Sequence, residues 1–567
     1  MKRTVAIGIQ DFSTLREQNC FYIDKTYFIK EWWESKDHTT LITRPRRFGK
    51  TLNMSMMEQF FSARYKERAD LFEGLSIWEE EKYRQLQGTY PVISLSFADI
   101  KSPCYEQARE EMFLLIVGLY EKNTFLLDGE LLTETEKEYF KQVNLQMNDS
   151  IAVKAIQRLC DFLGRYYQKK VIVLLDEYDT PMQEAYVNGY WEEIVSFMRS
   201  LFNSTFKTNP YLERGLMTGI TRVSKESIFS DLNHLEVVTT ISDKYATCFG
   251  FTEEEVFQAL EECGMPEEKE EVKKWYDGFI FGKSADIYNP WSILNFLGRK
   301  RYEPYWVNTS SNRLVGELVQ KSSPVVKQLF YDLLEEKHIF CPIEEQLVYQ
   351  GLNQNEKAIF SLLVASGYLK ILSYEGYNAI DSGKEPLYEL TLTNREVWFL
   401  FHKLVRQWFD PVQEEYSHFI KALLISDVEY MNEYINRISM EIFSYFDTGK
   451  KAHNDDAESF YHGFVLGLLV ELKDRYLITS NRESGFGRYD VVMEPKKTDL
   501  HAIIIEFKVF NKRKEKTLED TLQAALTQIE DKQYERDLIA RGIGKDRIKK
   551  YGFAFQGKEV LIGEEEE

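Results

Sequence analysis

The chain has 567 residues, enough for about three to five domains of ordinary size, which argues against a single-domain fold. Hydrophobic residues make up 44% and charged residues 29%, a composition that is typical of globular proteins and excludes a fibrous or wholly disordered chain. Because 91 Asp and Glu residues outnumber 71 Lys and Arg residues, giving a net charge of −20, any nucleic-acid site has to be local.

The cysteines and the apolar runs give no sign of export or membrane insertion. Six cysteines are scattered along the chain without a Cys-x-x-Cys pair or clustered histidines, which predicts reduced thiols rather than a disulfide framework or a structural zinc site. No apolar run has the length of a signal peptide or of a membrane-spanning helix. We therefore expect a cytoplasmic protein with no membrane partner, and the sequence leaves open whether it forms a homo-oligomer.

The first predicted strand leads into a phosphate-binding loop. An apolar, β-branched run from Thr39 to Thr43 is followed by Arg-Pro-Arg-Arg-Phe-Gly-Lys-Thr at positions 44–51 and by a helical pattern from Leu52 to Phe61. The final Gly-Lys-Thr supplies the second half of a P-loop, in which backbone N–H groups hold phosphates, the lysine reaches the β- and γ-phosphates and the hydroxyl binds Mg²⁺. The alternative is a surface turn. The predicted nucleotide-binding residues are Arg46, Arg47, Phe48, Gly49, Lys50 and Thr51.

The loop departs from the usual P-loop at its start. Arg44 stands where the first glycine would be, so the conformation there has to differ from the standard one. We expect Arg44, Arg46 and Arg47 to compensate by placing three guanidinium groups beside the phosphates.

Three further apolar runs of strand length follow the loop: Val92 to Phe97, Val171 to Leu175 and Leu216 to Ile220. Long segments with helical patterns separate them. Continuous rather than alternating apolar runs predict a parallel sheet that is covered on both faces.

Polar residues at two of these strand ends complete the predicted nucleotide site. Asp176 and Glu177 follow the Val171 to Leu175 run, where a P-loop ATPase places its second motif. Asp176 is predicted to hold Mg²⁺ through water, and Glu177 to orient or deprotonate the attacking water. Thr221 is predicted to contact the γ-phosphate or the water, and Arg222 to sense the phosphate or to serve a neighbouring subunit. The alternatives are a solvated acidic turn and an ordinary strand exit.

Three motifs resemble the predicted AAA-ATPase-like family of bacterial proteins: Phe21 to Thr26, Arg44 to Thr51 and Leu174 to Pro181. The resemblance covers roughly residues 4–240, with a lid beyond it, and implies an additional-strand P-loop ATPase core that binds ATP with Mg²⁺. In that family the arginine-rich loop without a first glycine is itself the usual form.

The remaining chain is predicted to form three further parts. Residues 241–300 are Glu-rich and amphipathic and are interpreted as a helical lid. Residues 301–450 are predicted to be mostly helical, with a winged-helix-like pattern of helix and short strands between Glu356 and Thr393. A polar stretch from Asp447 to Asp456 is the best linker candidate, and residues 451–567 follow as a separate α/β domain after the first 240 residues, the lid and the middle region.

Two predicted strands of this last domain collect two carboxylates and a lysine. Asp490 lies in the run from Gly487 to Met493, while Glu506 and Lys508 lie two residues apart between Ala502 and Val509. The two-residue period of a strand puts Glu506 and Lys508 on one face, beside Asp490 of the partner strand. Oxygen ligands suit Mg²⁺ or Mn²⁺, and a neighbouring lysine can help to activate water for attack on a phosphodiester.

A cross-strand ion pair on a solvated sheet face is the alternative for these charges. Three consecutive isoleucines, 503 to 505, precede Glu506 and indicate instead a buried central strand, where a charge is costly without a metal or ligand.

The pattern Asp490, Glu506, Lys508 resembles the PD-(D/E)xK nuclease superfamily. The resemblance implies catalysis by these three residues and metal binding by Asp490 and Glu506, with Glu458 on the preceding helix as a further acidic ligand. Gln528 and Tyr534 are similar to the Gln/Tyr pair that flanks the site in RecB-like members. Tyr489 replaces the usual proline before the aspartate.

These observations predict an α/β multidomain protein: a P-loop NTPase parallel sheet with a helical lid, a mostly helical middle region and a C-terminal restriction-endonuclease-like domain. The leading hypothesis is an ATP-binding and ATP-hydrolysing protein coupled to a metal-dependent nuclease that acts on DNA or RNA. Its implied cofactors are ATP and Mg²⁺, with Mn²⁺ as a second candidate at the nuclease site. The alternatives are a switch or scaffold whose C-terminal domain binds nucleic acid without cleaving it, and a transport or chaperone ATPase.

Overall fold

The computed structural model describes most of the chain. The described residues are 4–222, 228–229, 232, 234–308, 313–320, 322, 324–344, 356–374, 386–408, 413–442, 465, 469, 472, 475–484, 487–497, 500–511, 514–556 and 559–565. Within them, no helix is both long enough and apolar enough to cross a membrane.

Five parallel strands form the first sheet. They are Thr39–Thr43 (β1), Val92–Ser96 (β2), Val171–Asp176 (β3), Leu212–Gly219 (β4) and Leu235–Val238 (β5). The order across the sheet is β2-β3-β4-β1-β5, so that β4 is inserted between the strand before the P-loop and the strand before Asp176. This additional strand confirms the predicted class of P-loop core. Its position brings three strand ends with polar residues to one edge of the sheet.

Strands β1 and β3 are buried along their whole length. This burial indicates that the sheet is covered on both faces. Of the predicted apolar strands, β1, β3 and β4 are confirmed as central strands, whereas β2 lies at the edge of the sheet and its residues alternate between buried and partly buried. The helices of this part are Phe12–Glu17, Tyr27–Ser35, Lys50–Phe61, Glu81–Leu86, Tyr105–Glu121, Glu134–Gln142, Asp149–Tyr167, Thr180–Asn188 and Trp191–Phe202.

The segment interpreted as a helical lid contains strands as well as helices. Its helices are Glu253–Glu262, Lys269–Tyr276 and Pro290–Arg299. Its antiparallel strands, in the order β6-β8-β7, are Phe251–Thr252 (β6), Phe279–Phe281 (β7) and Ser284–Tyr288 (β8). The sequence analysis missed this sheet because strands of two to five residues are too short to establish a period.

The middle region is mostly helical and contains a small antiparallel sheet. Its helices are Arg313–Gln320, Pro324–Leu334, Glu356–Ala365, Arg395–Trp408, Gln413–Ile425 and Val428–Ile442. The strands Ile339–Cys341 (β9), Leu369–Tyr374 (β10) and Tyr388–Leu392 (β11) pair in the order β10-β11-β9. We call these three strands, together with helix Glu356–Ala365 and the connecting residues 366–368, the winged-helix-like module.

The last sheet is mixed. It consists of Tyr476–Ser484 (β12), Gly487–Pro495 (β13), Ala502–Val509 (β14), Ile548–Gln556 (β15) and Glu559–Glu564 (β16), in that spatial order. Strands β14 and β15 are parallel, and the other neighbours are antiparallel. Helix Leu518–Asp531 packs on β14 and β15, and a short helix, Arg536–Ala540, follows it. Ile503, Ile504 and Ile505 are fully buried, as the prediction of a central strand requires.

A helix that precedes this domain in the chain binds its edge strand. In helix Val428–Ile442, the side-chain amides of Asn432 and Asn436 lie one turn apart. Asn432 donates to Ile562 O (2.9 Å) and accepts from Ile562 N (2.7 Å), while Asn436 donates to Val560 O (2.7 Å) and accepts from Val560 N (2.9 Å). The two asparagines thus satisfy the outward-facing backbone groups of β16.

The chain divides into two compact units that do not follow one another along the sequence. One unit contains Met1–Leu318 and His338–Leu400, and the other contains Val319–Lys337 and Phe401–Glu567. The predicted middle region is therefore shared between the units, and the winged-helix-like module belongs to the first.

Candidate functional site

The P-loop follows β1 and ends at helix Lys50–Phe61. Gly49 occupies the N-cap of this helix with φ +77°, and Arg47 also has a left-handed backbone, with φ +67°. A residue with a side chain tolerates this region poorly, whereas glycine enters it without steric cost. The helix start that a phosphate would approach is thus set by Gly49.

Arg44 does not lie where the sequence analysis placed it. Its side chain is fully buried, and its guanidinium donates to backbone carbonyls, among them Thr43 O (3.0 Å) and Thr239 O (2.7 Å). It also lies over the ring of Phe281, with 4.5 Å to the centroid, and burial lowers its pKa to about 10. Arg44 therefore fixes the start of the loop to the segment after β5. The expectation that it stands beside the phosphates is wrong, because its guanidinium is buried and both of its terminal nitrogens donate to backbone carbonyls.

Phe48 anchors the other end of the loop. Its ring is 1% exposed and packs edge-on against Phe279 (4.7 Å between centroids) and Phe281 (5.3 Å) of β7. With Arg44 and Phe48 both buried, the loop is held in shape by side chains rather than by the glycines of an ordinary P-loop.

The remaining two loop arginines stay near the surface. The guanidinium of Arg47 is exposed and lies 4.4 Å from the ring centroid of Trp291. Arg46 is half-buried, and its carbonyl accepts a hydrogen bond from Asn289, which also caps helix Pro290–Arg299. The lid therefore contacts the loop at both arginines.

Lys50 and Thr51, which are predicted to bind phosphate and Mg²⁺, are the first two residues of the helix after the loop. The Lys50 ammonium is buried and donates to Arg44 O (3.0 Å) and Pro45 O (2.9 Å), and burial lowers its pKa. The Thr51 hydroxyl donates to Asp176 Oδ2 at 2.6 Å. The other Asp176 oxygen accepts from the hydroxyl of Thr218 on β4, and burial raises the pKa of this carboxyl. The structure thus brings together the predicted lysine, hydroxyl and carboxylate.

Glu177 lies at the turn after β3, with φ +52°. Its Oε2 accepts from the Thr180 hydroxyl at 3.1 Å, and the side chain is only partly buried. A partly exposed carboxylate at this strand end is compatible with the predicted role of Glu177 as a general base, which stays a prediction.

Asp179 lies within the Leu174 to Pro181 motif but was not predicted to have a role of its own. It is 1% exposed and accepts hydrogen bonds from Ile220 N (3.1 Å), Thr221 N (2.8 Å) and the Thr221 hydroxyl (2.8 Å). Burial raises its pKa. The adjacent Tyr178 donates to Thr221 O at 2.7 Å, so the turn after β3 holds the residues that follow β4. The signal available in the sequence was a further carboxylate two positions after Glu177.

Thr221 and Arg222 follow β4 at the same edge of the sheet. Thr221 is buried and bound to Asp179, and it borders a small cavity together with Arg46. Arg222 is partly buried. Their predicted sensor roles stay predictions.

In the C-terminal domain, the structure brings Asp490, Glu506 and Lys508 together. The register pairs Val491 with Ile505, so Asp490 stands next to Glu506 on the neighbouring strand. Asp490 Oδ2 accepts from Phe507 N at 2.8 Å, and Glu506 is 2% exposed. Two carboxylates on adjacent strands, one of them buried, fit a divalent cation with oxygen ligands.

Gln528 joins the two charged residues of β14. Its amide nitrogen donates to Glu506 Oε1 and to Tyr534 OH (3.2 Å), while its Oε1 accepts from Lys508 Nζ at 2.7 Å. The helix that carries Gln528 begins with a capping box at Thr517, so its position over β14 is well defined. The Glu506–Gln528–Lys508 arrangement holds the ammonium beside the carboxylates. Glu458, the further ligand expected from the sequence, lies outside the described residues.

A third group of carboxylates was not predicted. Glu253, Asp277 and Asp286 lie within 4.8 Å of one another in the lid. Lys273 forms ion pairs with Glu253 and with Asp286 (3.5 Å), and burial together with Asp286 raises the pKa of Asp277 to about 7. Lys273 thus neutralises part of the negative charge of this cluster.

Two segments of the chain match known protein families. Residues 6–229 match the family described as predicted AAA-ATPase, and residues 456–565 match the PD-(D/E)XK nuclease superfamily. Over nearly its whole length the chain is also similar to an uncharacterized protein in the vnfD 5′ region of Azotobacter chroococcum mcd 1. The two are 26% identical over 561 residues, which cover 95% of each chain. The matches confirm both resemblances seen in the sequence.

Proposed function

We propose that this protein binds and hydrolyses ATP and that its C-terminal domain cleaves nucleic acid. The chain joins a predicted AAA-ATPase domain to a PD-(D/E)XK nuclease superfamily domain. The observation that supports ATP binding best is the contact between Thr51 and Asp176 beside Lys50. The observation that supports cleavage best is the Glu506–Gln528–Lys508 arrangement next to Asp490.

In the ATPase half, each residue has a distinct task. Lys50 turns from the loop carbonyls to the β- and γ-phosphates, and the N-terminus of its helix adds a favourable dipole. Thr51 and Asp176 would hold Mg²⁺, which neutralises phosphate charge when bound. Glu177 orients the attacking water and accepts its proton. Asp179 keeps Thr221 at the edge of the site through two hydrogen bonds from Thr221 and one from Ile220 N.

In the nuclease half, Asp490 and Glu506 would hold Mg²⁺ or Mn²⁺, which stabilises the charge that develops on a phosphodiester. Lys508 orients the attacking water from the same sheet face. Gln528 positions Lys508 and Glu506 relative to each other, because it hydrogen-bonds to both.

The charged residues on the surface of this domain favour binding of nucleic acid near the end of β14. Basic residues between 541 and 550 already form ion pairs within the protein: Arg541 pairs with Glu494, and Lys550 pairs with Glu530 at 2.7 Å. Lys514 and Lys516 are exposed in the connection that follows β14. Glu515 lies between them but is turned inward, where its carboxylate accepts from Asn511 N and the Thr521 hydroxyl, both at 2.8 Å. The exposed face of this loop is therefore positive, as contact with phosphates requires.

The test is a cleavage assay on the full-length protein with single- and double-stranded DNA and RNA, Mg²⁺ or Mn²⁺, with and without ATP. We expect Lys508→Ala to abolish cleavage and to retain binding, and Lys532→Ala, an exposed lysine elsewhere in the domain, to leave both unchanged. No cleavage of any substrate by the unaltered protein, with binding intact, would support the switch or scaffold instead.

The ATPase half is tested separately. Lys50→Ala should abolish MgATP binding measured by calorimetry, and unchanged binding would contradict the assignment of the loop. An effect of ATP on cleavage that Lys50→Ala removes would show that the two activities are coupled.

A further inference from the structure

The winged-helix-like module contacts the P-loop directly. Gly367, between helix Glu356–Ala365 and β10, has φ +81° and faces Pro45 of the loop. A Cβ atom at this position would lie 2.7 Å from Pro45 Cγ and 2.8 Å from the ring of Phe279. Only glycine fits here, because both the backbone conformation and the space exclude a side chain.

The same module closes one side of the nucleotide site. A cavity of about 50 Å³ lies between loop and strand residues on one side, among them Arg46 and Thr221, and Leu362, Ser366 and Tyr368 of the module on the other. The cavity borders the carboxyl end of β4, where ligands of parallel α/β sheets bind. It holds only a few water molecules, so a phosphate group placed there has to share the space with the module.

Lys50 links the proposed phosphate site to the contact between Pro45 and Gly367. Its ammonium donates to the carbonyl oxygens of Arg44 (3.0 Å) and Pro45 (2.9 Å). A bound nucleotide needs this ammonium for its phosphates, so the loop loses both hydrogen bonds when nucleotide binds. Pro45, the residue that packs against Gly367, is therefore released from Lys50 by the same event.

The residues that directly follow β11 of the module contact the lid. Asn394 donates to Tyr276 O at 3.2 Å, and a Cβ atom on Gly278 would lie 1.9 Å from Thr393 O. In the module itself, the ring of Tyr368 stacks on Trp306, which follows the lid in the chain, with 5.4 Å between centroids. A shift at Gly367 is thus transmitted through a packed segment rather than absorbed by a loose loop.

We propose that the winged-helix-like module is the nucleotide sensor of this protein: ATP binding displaces Gly367 from Pro45 and releases the module from the phosphate side of the site. The proposal rests on the proposed nucleotide site. Nucleotide binding and release of the module are then coupled, and such coupling is reciprocal. A substitution that displaces the module from Pro45 therefore has to raise the affinity for nucleotide.

Two measurements on the full-length protein test this sensor. First, we expect a non-hydrolysable ATP analogue with Mg²⁺ to increase amide hydrogen exchange in residues 356–374 of the unaltered protein. Second, we expect Gly367→Ala to lower the Kd for the same analogue, measured by calorimetry, about fivefold or more. Gly129→Ala is the matched control, since Gly129 has the same φ of +81° and no atom within 4 Å of its added Cβ.

The outcomes separate the two proposals. Normal analogue binding with unchanged exchange in residues 356–374, or with no tighter binding by Gly367→Ala than by Gly129→Ala, would overturn the sensor and leave the ATPase assignment standing. Absence of nucleotide binding in the unaltered protein would overturn both. If Gly367→Ala does not fold, the exchange measurement on the unaltered protein still decides.

Discussion

The hydroxyl of Thr51 lies 2.6 Å from Oδ2 of Asp176, although 125 residues separate them in the chain. Thr51 belongs to the helix after β1, and Asp176 ends β3. Between these strands, Thr218 of β4 donates to the other oxygen of the same carboxylate. The additional strand therefore contributes to the site, since its hydroxyl orients the carboxylate that would hold the cation.

Thr51→Val tests this contact. We expect the affinity for ATP in the presence of Mg²⁺ to fall about tenfold or more, because a hydrogen bond to a charged group is lost together with a cation ligand. The affinity measured with EDTA should change little. Calorimetric titrations under both conditions decide the question.

Thr40→Val is the control for this substitution. Thr40 lies on buried β1, and its hydroxyl has no hydrogen-bond partner within the part of the chain that the structure describes. A loss of MgATP affinity in both variants would indicate a general effect on the sheet and contradict the specific role of Thr51.

Gln528→Leu tests the arrangement of the proposed nuclease site. Leucine keeps most of the volume but cannot join Glu506 to Lys508, so we expect cleavage to slow about 10- to 100-fold while nucleic-acid binding is retained. Single-turnover cleavage rates and binding isotherms measure the two effects separately. Gln523→Leu, on the exposed side of the same helix, should leave both unchanged. Equal rates for the two variants would show that Gln528 does not position Lys508.

Glu396 predicts a pH dependence of stability. It is fully buried in the first unit, accepts from Tyr305 N (2.5 Å) and Ser292 Oγ (2.7 Å), and burial raises its pKa from 4.5 to about 8. Between pH 4.5 and 8 the folded protein holds a proton here that the unfolded chain releases, so stability falls as the pH rises through this window. The slope from this one group is at most about 1.4 kcal/mol per pH unit.

Glu396→Gln should remove this contribution. We expect the melting temperature of the unaltered protein to fall relative to that of Glu396→Gln between pH 6 and pH 9, measured by calorimetry in matched buffers. Glu254→Gln changes an exposed carboxyl and should follow the unaltered protein. Parallel curves for all three proteins would contradict a buried protonated Glu396.

The asparagine contacts on β16 predict a local loss of protection. In the double variant Asn432→Ala/Asn436→Ala, four hydrogen bonds to Val560 and Ile562 are removed, each worth about 1 kcal/mol. We expect faster amide hydrogen exchange in residues 559–564 and a lower melting temperature. Asn188→Ala, at an exposed helix end, controls for the loss of asparagine. Unchanged exchange in β16 would show that these amides contribute nothing to the edge.

Much of the geometry of the proposed ATP site could be predicted because its signals are local. Continuous apolar runs identify buried parallel strands, and Gly49 to Thr51 identify a helix start that accepts phosphate. The place of Arg44 could not be predicted, since a charged side chain satisfies its donors on phosphates and on carbonyls equally well. Its carbonyl partners include Lys244 and Tyr245, about 200 residues further along the chain.

The C-terminal site shows the same limit. The two-residue period of a strand was enough to place Glu506 and Lys508 on one face. The hydrogen bonds of Gln528 to both depend on how a helix 20 residues later packs on β14, which no spacing in the sequence specifies. The role of Asp179 was missed for a similar reason, since its donors come from residues 41 and 42 positions away.

The division of the chain limits how its halves can be separated or exchanged. The polypeptide passes between the two units three times, after Leu318, Lys337 and Leu400. A break after Leu400 would leave residues 319–337 on the ATPase fragment and deprive Phe401 of its ring contact with Phe330, 5.2 Å between centroids. No single cleavage point yields both units intact. Recombination at one site therefore cannot transfer the whole second unit, which includes residues 319–337, to another protein.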